Sequence, residues 1–245
     1  MIENLVYNTN RFLIGFLILL SLIITYAFKI EEYLFFAIVF FTYFELYISK
    51  IYNFYGILIS VLLVIFFLII KNFGYQEISY LYVYNFLALI FISICILNYK
   101  LINYFFSSLI TIFLLNFFEI LNYDDFLFYK LLVIAFINDT SAYLIGSYLK
   151  GPLIASKISP NKTWSGTMSS FFISSIFIFI LCSNFYFTLI LALSLFLGDL
   201  YFSFIKRKID KKDFSNLLKS HGGILDRFDS FFFFISIYNL ILISS

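Results

Sequence analysis

Apolar residues run along this chain in long, nearly unbroken stretches, punctuated by short polar clusters. Apolar and polar positions do not alternate with period two over strand lengths, so neither a half-wetted sheet nor an outer-membrane barrel is expected. Nine stretches stand out, at 12–28, 33–49, 54–70, 78–97, 101–121, 126–149, 167–183, 185–205 and 228–244. Each approaches the ~20 residues that a helix needs to cross a hydrocarbon core. Backbone polar groups find no partners in lipid, so helices are the form such stretches take. The pattern predicts an all-α, polytopic integral membrane protein with nine transmembrane helices. The first stretch lacks a small-residue cleavage site and runs into Lys29-Ile30-Glu31-Glu32, which reads as a turn; it is expected to stay as a span. One membrane domain is expected, with helices in 1–125 and the chemistry-bearing helices and loops in 126–245.

Composition agrees. Hydrophobic residues make up 63% of the chain and charged residues 12%, against about 25% charged in a soluble domain. The net charge of +2 gives no bulk basic signal for nucleic acid. Cys95 and Cys182 both lie inside apolar runs and read as small buried side chains rather than a disulfide or metal pair. With the N-terminus inside and nine alternating spans, thirteen basic residues fall on the inner side and three on the outer. That asymmetry follows the positive-inside rule and puts the loops holding Lys150, Lys162 and the 206–227 segment in the cytoplasm.

Polar residues concentrate in the last 110 positions, where a carboxylate inside an apolar helix is costly and therefore informative. Asp199, Ser203 and Lys206 are spaced i, i+4 and i+7, so they share one helix face. A basic loop follows and ends in His221-Gly222-Gly223, where glycines let the backbone come close to a ligand. Asp226 and Asp229 share a face at the start of the last span. Carboxylates at two facing helix ends, beside lysine and arginine, suit divalent-metal chemistry on a phosphate. Ser159-Pro160-Asn161-Lys162-Thr163-Trp164, before the seventh span, reads as a loop whose hydroxyls, lysine and helix N-terminus could cradle an anion. Asp139, Tyr143 and Gly146 share a face of the sixth span, with the glycine leaving space beside it. Glu45 and Glu119 are further intramembrane acids with nothing in their surroundings to assign a role.

The set Ser203, Lys206, Arg207, Lys212, Asp213, His221, Gly222, Gly223, Asp226, Arg227 and Asp229 resembles the signature of the phosphatidate cytidylyltransferases. Asn138 to Tyr143 and Ser159 to Gly166 resemble two further elements of that family. The resemblance covers Asp139 to Ser230 and implies a membrane nucleotidyltransferase. It would convert CTP and phosphatidic acid to CDP-diacylglycerol and pyrophosphate, with its site at the cytoplasmic face of the inner or plasma membrane. It implies Asp199 and Asp226 as ligands of magnesium, with a monovalent cation as a candidate companion and a homodimer as a candidate assembly. Asp199, Ser203, Lys206 and Asp226 would be catalytic. Substrate would be held by Arg207, Lys162, Thr163, Ser159, Asp139, Lys212, Asp213, His221, Gly222, Gly223, Arg227 and Asp229. His221 would position pyrophosphate or shape the loop, since the attacking phosphate is already an anion. Phe202 and Ser165 stand where the family has glutamates, which leaves the metal geometry and loop positioning open. Two other readings stay open: a related CTP-dependent enzyme acting on another lipid phosphate or polyprenol, and a transporter using Asp139 and Asp199.

Overall fold

The structure is a computed structural model that describes residues 20, 22–49, 99–155, 158–215, 217 and 222–244. The expected spans 54–70 and 78–97 lie outside these residues, as do positions 12–19 and 21 of the expected first span, Cys95 and His221. After a helical stretch over 22–28 the described elements are α1 (Glu31–Ile48), α2 (Tyr99–Tyr123), α3 (Asp125–Leu149), β1 (Leu153–Ala155), β2 (Ser159–Thr163), α4 (Trp164–Cys182), α5 (Phe185–Lys208) and α6 (Leu225–Ser244). The all-α expectation holds. Among the described residues, Phe126–Leu149, Trp164–Cys182 and Phe185–Lys208 are long and apolar enough to cross a membrane. Shorter apolar helical stretches occur at Phe36–Ile48 and Leu109–Leu121.

The polar punctuation between apolar runs turns out to be capping chemistry. Asp124 accepts from Phe126 N at 3.0 Å and opens α3. Asn184 accepts from Tyr186 N and Phe187 N at the start of α5. Thr163 accepts from Gly166 N at the start of α4. Each satisfies an N–H group that the helix itself leaves orphaned, at positions where lipid could not. Lys150 and Ser183 close α3 and α4 in left-handed backbone conformations.

The segment before α4 is not a plain loop. It folds into an antiparallel hairpin in which Leu153 pairs with Thr163 and Ala155 with Ser159. Trp164 N donates to Pro152 O at 2.9 Å and fastens the hairpin to the start of α4. The pairing satisfies backbone groups at the end of the bundle that an open loop would leave to water.

In the bundle α3 packs along α4, α4 along α5 and α5 along α6, while α2 closes against α6. Gly146 faces Gly166 where α3 meets α4, as the space beside Gly146 suggests. Outward-facing side chains such as Phe172, Ile176 and Ile180 of α4 are exposed and apolar, which suits a lipid surround and not water. This is a membrane protein. Inside, Phe113 of α2, Phe202 of α5 and Phe232 of α6 form a buried aromatic group, with ring centroids 5.0 to 6.0 Å apart. Deeper in α6, Asn239 Nδ2 donates to Asn116 Oδ1 at 2.9 Å and also to Glu119, so that Glu119 serves in a polar clamp between α2 and α6.

Phe202 occupies a position where the resembled family has glutamate. Its ring is fully buried, with Phe214 also beside it, so this position faces the apolar core. Restoring the acid by Phe202→Glu is expected to destabilise the protein by at least about 2 kcal/mol, because a carboxylate would be buried without a partner. Thermal unfolding in detergent, compared with wild type, measures this.

Candidate active site

The site forms at the end of the bundle where the hairpin, residues 209–215 and 222–224, and the start of α6 meet. Lys211 Nζ bonds Ser49 O just past α1, and Arg207 Nε donates to Ile158 O in the hairpin at 3.0 Å. These contacts put the ends of α1 and α5 and the hairpin on one side of the bundle. Lys29 follows the 22–28 helix near Tyr26, whose ring packs on Phe126 at the start of α3, so Lys29 and Lys130 belong to the other side.

Asp199, Ser203 and Lys206 lie on one face of α5, as their spacing predicts. Lys206 is buried, and its Nζ donates to Asp226 Oδ1 at 2.9 Å and lies 3.9 Å from Asp229 Oδ2. The Phe214 ring covers the same ammonium, with its centroid 5.5 Å away. A buried lysine keeps its charge only with such company. Asp226 does more than neutralise it. Its Oδ2 accepts from Phe214 N at 3.0 Å and Gly223 N at 2.9 Å, so one carboxylate ties Lys206 to the turn ahead of α6. Gly222 adopts φ +75°, a conformation that penalises any Cβ.

Asp199 forms an ion pair with Lys162 of β2. Asp139 of α3 accepts from Ser230 Oγ of α6 at 3.3 Å and from Asn138 Nδ2 at 3.2 Å. Asp139 nonetheless stays exposed on α3. The charges of Asp199 and Lys162 act on Asp139, and those of Asp199, Lys206, Asp139 and Lys162 act on Asp229. Carboxylates from α3, α5 and α6 thus gather around lysines from β2 and α5. Among these six side chains, four carboxylates against two ammonium groups leave two negative charges uncompensated when all are ionised. Such a surplus attracts a cation.

The other expected residues are placed differently. Arg207 spends Nε on Ile158 O and Nη1 on Lys211 O at 3.1 Å, which binds the hairpin to residues 209–215. Thr163 caps α4 and bonds Ser165 Oγ, and Ser165 in turn accepts from Gly151 N. Ser165, where the family has glutamate, therefore works in the local turn. Ser159 lies in β2, half-buried, while Lys212, Asp213 and Arg227 are exposed around the site. Glu45 of α1 was without an assigned role on sequence grounds, and it reaches this site: it bonds Ser215 Oγ, Ile224 N and Leu225 N. The signal that points to it is the carboxylate itself, the one acid in the apolar stretch Phe36–Ile48.

The model of the Cytidylyltransferase family matches residues 11–245. The chain belongs to this family. Among curated proteins it is similar to a phosphatidate cytidylyltransferase of Staphylococcus aureus (strain COL), at 40% identity over 46% of this chain and 47% of that relative. It is also similar to proteins of the same name from Rickettsia conorii, 39% identical over 38% of this chain and 47% of the relative, and Rickettsia felis, 38% identical over 40% and 53%. The chain spans about half the length of the curated relatives it matches. No solved structure matches it.

Lys206 is the cation that Asp226 and Asp229 share, so removing it strands two buried carboxylates. Lys206→Met is expected to cost about 3 kcal/mol or more of stability, whereas Lys206→Arg retains most of it. Unfolding of the three proteins in the same detergent compares them.

Proposed function

We propose that this chain is a phosphatidate cytidylyltransferase. It would transfer CMP from CTP to phosphatidic acid, giving CDP-diacylglycerol and pyrophosphate. The observation that carries the proposal is the convergence of Asp139, Asp199, Asp226 and Asp229 on Lys162 and Lys206 at one end of a membrane bundle, in a chain of the Cytidylyltransferase family. The names of the similar proteins support the same substrates.

A phosphatidate oxygen attacks the α-phosphorus of CTP. The new P–O bond forms as the bond from that phosphorus to the β-phosphate oxygen breaks, and pyrophosphate leaves in line with the electron pair. No strong base is needed, because the attacking group is already anionic. Lys162 and Lys206 are the cations nearest the carboxylates, and a phosphate arriving there can take over their charge from Asp199 and Asp226. Lys206 in particular can stabilise charge that grows on the phosphoryl oxygens.

A divalent cation fits the donor set. Hard carboxylate oxygens at a polar end of the bundle suit magnesium, which takes one or two carboxylates and fills its shell with phosphate oxygens and water. Among the described residues, no three such side chains are grouped closely enough to cage a metal alone, so substrate would complete the shell. Asp199 and Asp226 would hold the ion, with Asp226 giving up Lys206 from Oδ1 while Oδ2 keeps the turn in place. Bound there, magnesium would neutralise phosphate oxygens and favour departure of pyrophosphate.

The site would face the cytoplasm, where CTP is found and where the basic loops are expected by the positive-inside rule. A cysteine replacing Asp213 should resist a membrane-impermeant reagent in intact cells and react after lysis, while Tyr123→Cys, at the other end, should react in both. The reverse pattern overturns the orientation. For the chemistry, purified protein in phosphatidate vesicles is expected to release pyrophosphate from CTP. Release should stop with chelator, and Asp199→Asn or Asp226→Asn should lower it about 100-fold or more. Equal release without phosphatidate, or with a polyprenol in its place, would reassign the substrate.

A further inference from the structure

We propose that Glu45 of α1 is a positioning residue for this active site, holding the Gly222-Gly223 turn and the first turn of α6 in the register that Asp226 and Asp229 require. The inference rests on the nucleotidyl-transfer reading above and extends the site to a helix outside its sequence signature.

Glu45 is fully buried in the apolar stretch Phe36–Ile48 of α1, where a carboxylate is tolerated only if its oxygens are filled. They are filled by one short segment. Oε2 accepts from Ile224 N at 2.7 Å and Leu225 N at 3.0 Å, and Oε1 accepts from Ser215 Oγ at 3.0 Å. Leu225 is the first residue of α6 and Ile224 the residue before it, so these are N–H groups with no acceptor inside the helix. A side chain 180 positions earlier thereby does what an N-cap residue does locally. Its negative charge also meets the positive end of the α6 dipole.

Two carboxylates interleave on this turn. Asp226 takes the N–H groups of Phe214 and Gly223, while Glu45 takes the adjacent Ser215 hydroxyl and the N–H groups of Ile224 and Leu225. Gly223 is where they press closest, and a methyl group there would fall on the Glu45 carboxylate. The second glycine of the pair is therefore required by α1, just as the first is required by its positive φ. Asp226 and Asp229 begin one residue beyond this clamp. Their distance from Lys206 and Asp199 depends on how α6 starts, and small displacements of reacting groups cost large factors in rate.

Glu45→Gln and Glu45→Met test the proposal at nearly constant volume. Gln keeps an oxygen for Ile224 N and Leu225 N and can donate to Ser215 Oγ, whereas Met offers no acceptor of that kind. The Gln variant is expected to keep kcat for pyrophosphate release within about threefold of wild type. The Met variant should lose about 10- to 100-fold in kcat, with the KM for CTP changed less than about threefold. Hydrogen exchange reads the clamp without turnover. The amides of Ile224 and Leu225 should be protected in wild type and Glu45→Gln, and should exchange at least about tenfold faster in Glu45→Met. An unimpaired Met variant, equal defects in both variants, or amides 224 and 225 exchanging in wild type as fast as exposed amides near Asp213 would overturn the proposal. If wild type releases no pyrophosphate, the assigned reaction falls, while exchange at 224 and 225 still decides whether Glu45 clamps the turn. If Glu45→Met fails to fold, the exchange of wild type and Glu45→Gln decides it.

Discussion

Lys206 stands where three segments must agree on a position: α5, which carries it, α6, whose Asp226 and Asp229 flank its Nζ, and residues 209–215, whose Phe214 ring covers it. An ammonium buried this far is held only by fixed negative charge. The carboxylate that supplies it also fixes the backbone of the turn, because Asp226 Oδ2 takes two N–H groups. The charge balance of the site and the path of the chain around it are therefore one arrangement. Replacing any member changes both.

This polar arrangement stands on an apolar one. Phe113, Phe202 and Phe232 fill the space between α2, α5 and α6 just beneath it. In lipid there is little hydrophobic force between helices, so close ring contacts and a few polar clamps set how near the helices come. The Asn116, Glu119 and Asn239 group provides such a clamp farther along α6. The spacing of the carboxylates at the polar end follows from packing along the helices.

The sequence was most legible where one helix could be read by itself. Apolar length located α1 to α6, and the i, i+4, i+7 spacing put Asp199, Ser203 and Lys206 on one face. It was least legible where partners are distant. The hairpin was read as a loop because five residues, Ser159 to Thr163, are too few for period two to emerge around a proline. Arg207 was expected on phosphate, yet two of its nitrogens are on the carbonyls of Ile158 and Lys211. Glu45 carried no local clue beyond its cost, since its partners lie 170 to 180 positions away. Helical periodicity says which way a side chain points on its own helix and nothing of what will be waiting there.

Arg207 carries a consequence for comparing or recombining members of the family. Through one guanidinium it joins the tip of the hairpin to the residues just after α5, and Lys211 continues that connection to Ser49. Segments that look independent on an alignment are mechanically a single piece at this end of the molecule. A chimera whose junction falls between the hairpin and α5 would combine an arginine from one parent with a carbonyl path shaped by the other. Junctions placed in the α4–α5 connection at Ser183 and Asn184, on the opposite side of the bundle, cut across the same unit just as surely, although no residue of the site is near them.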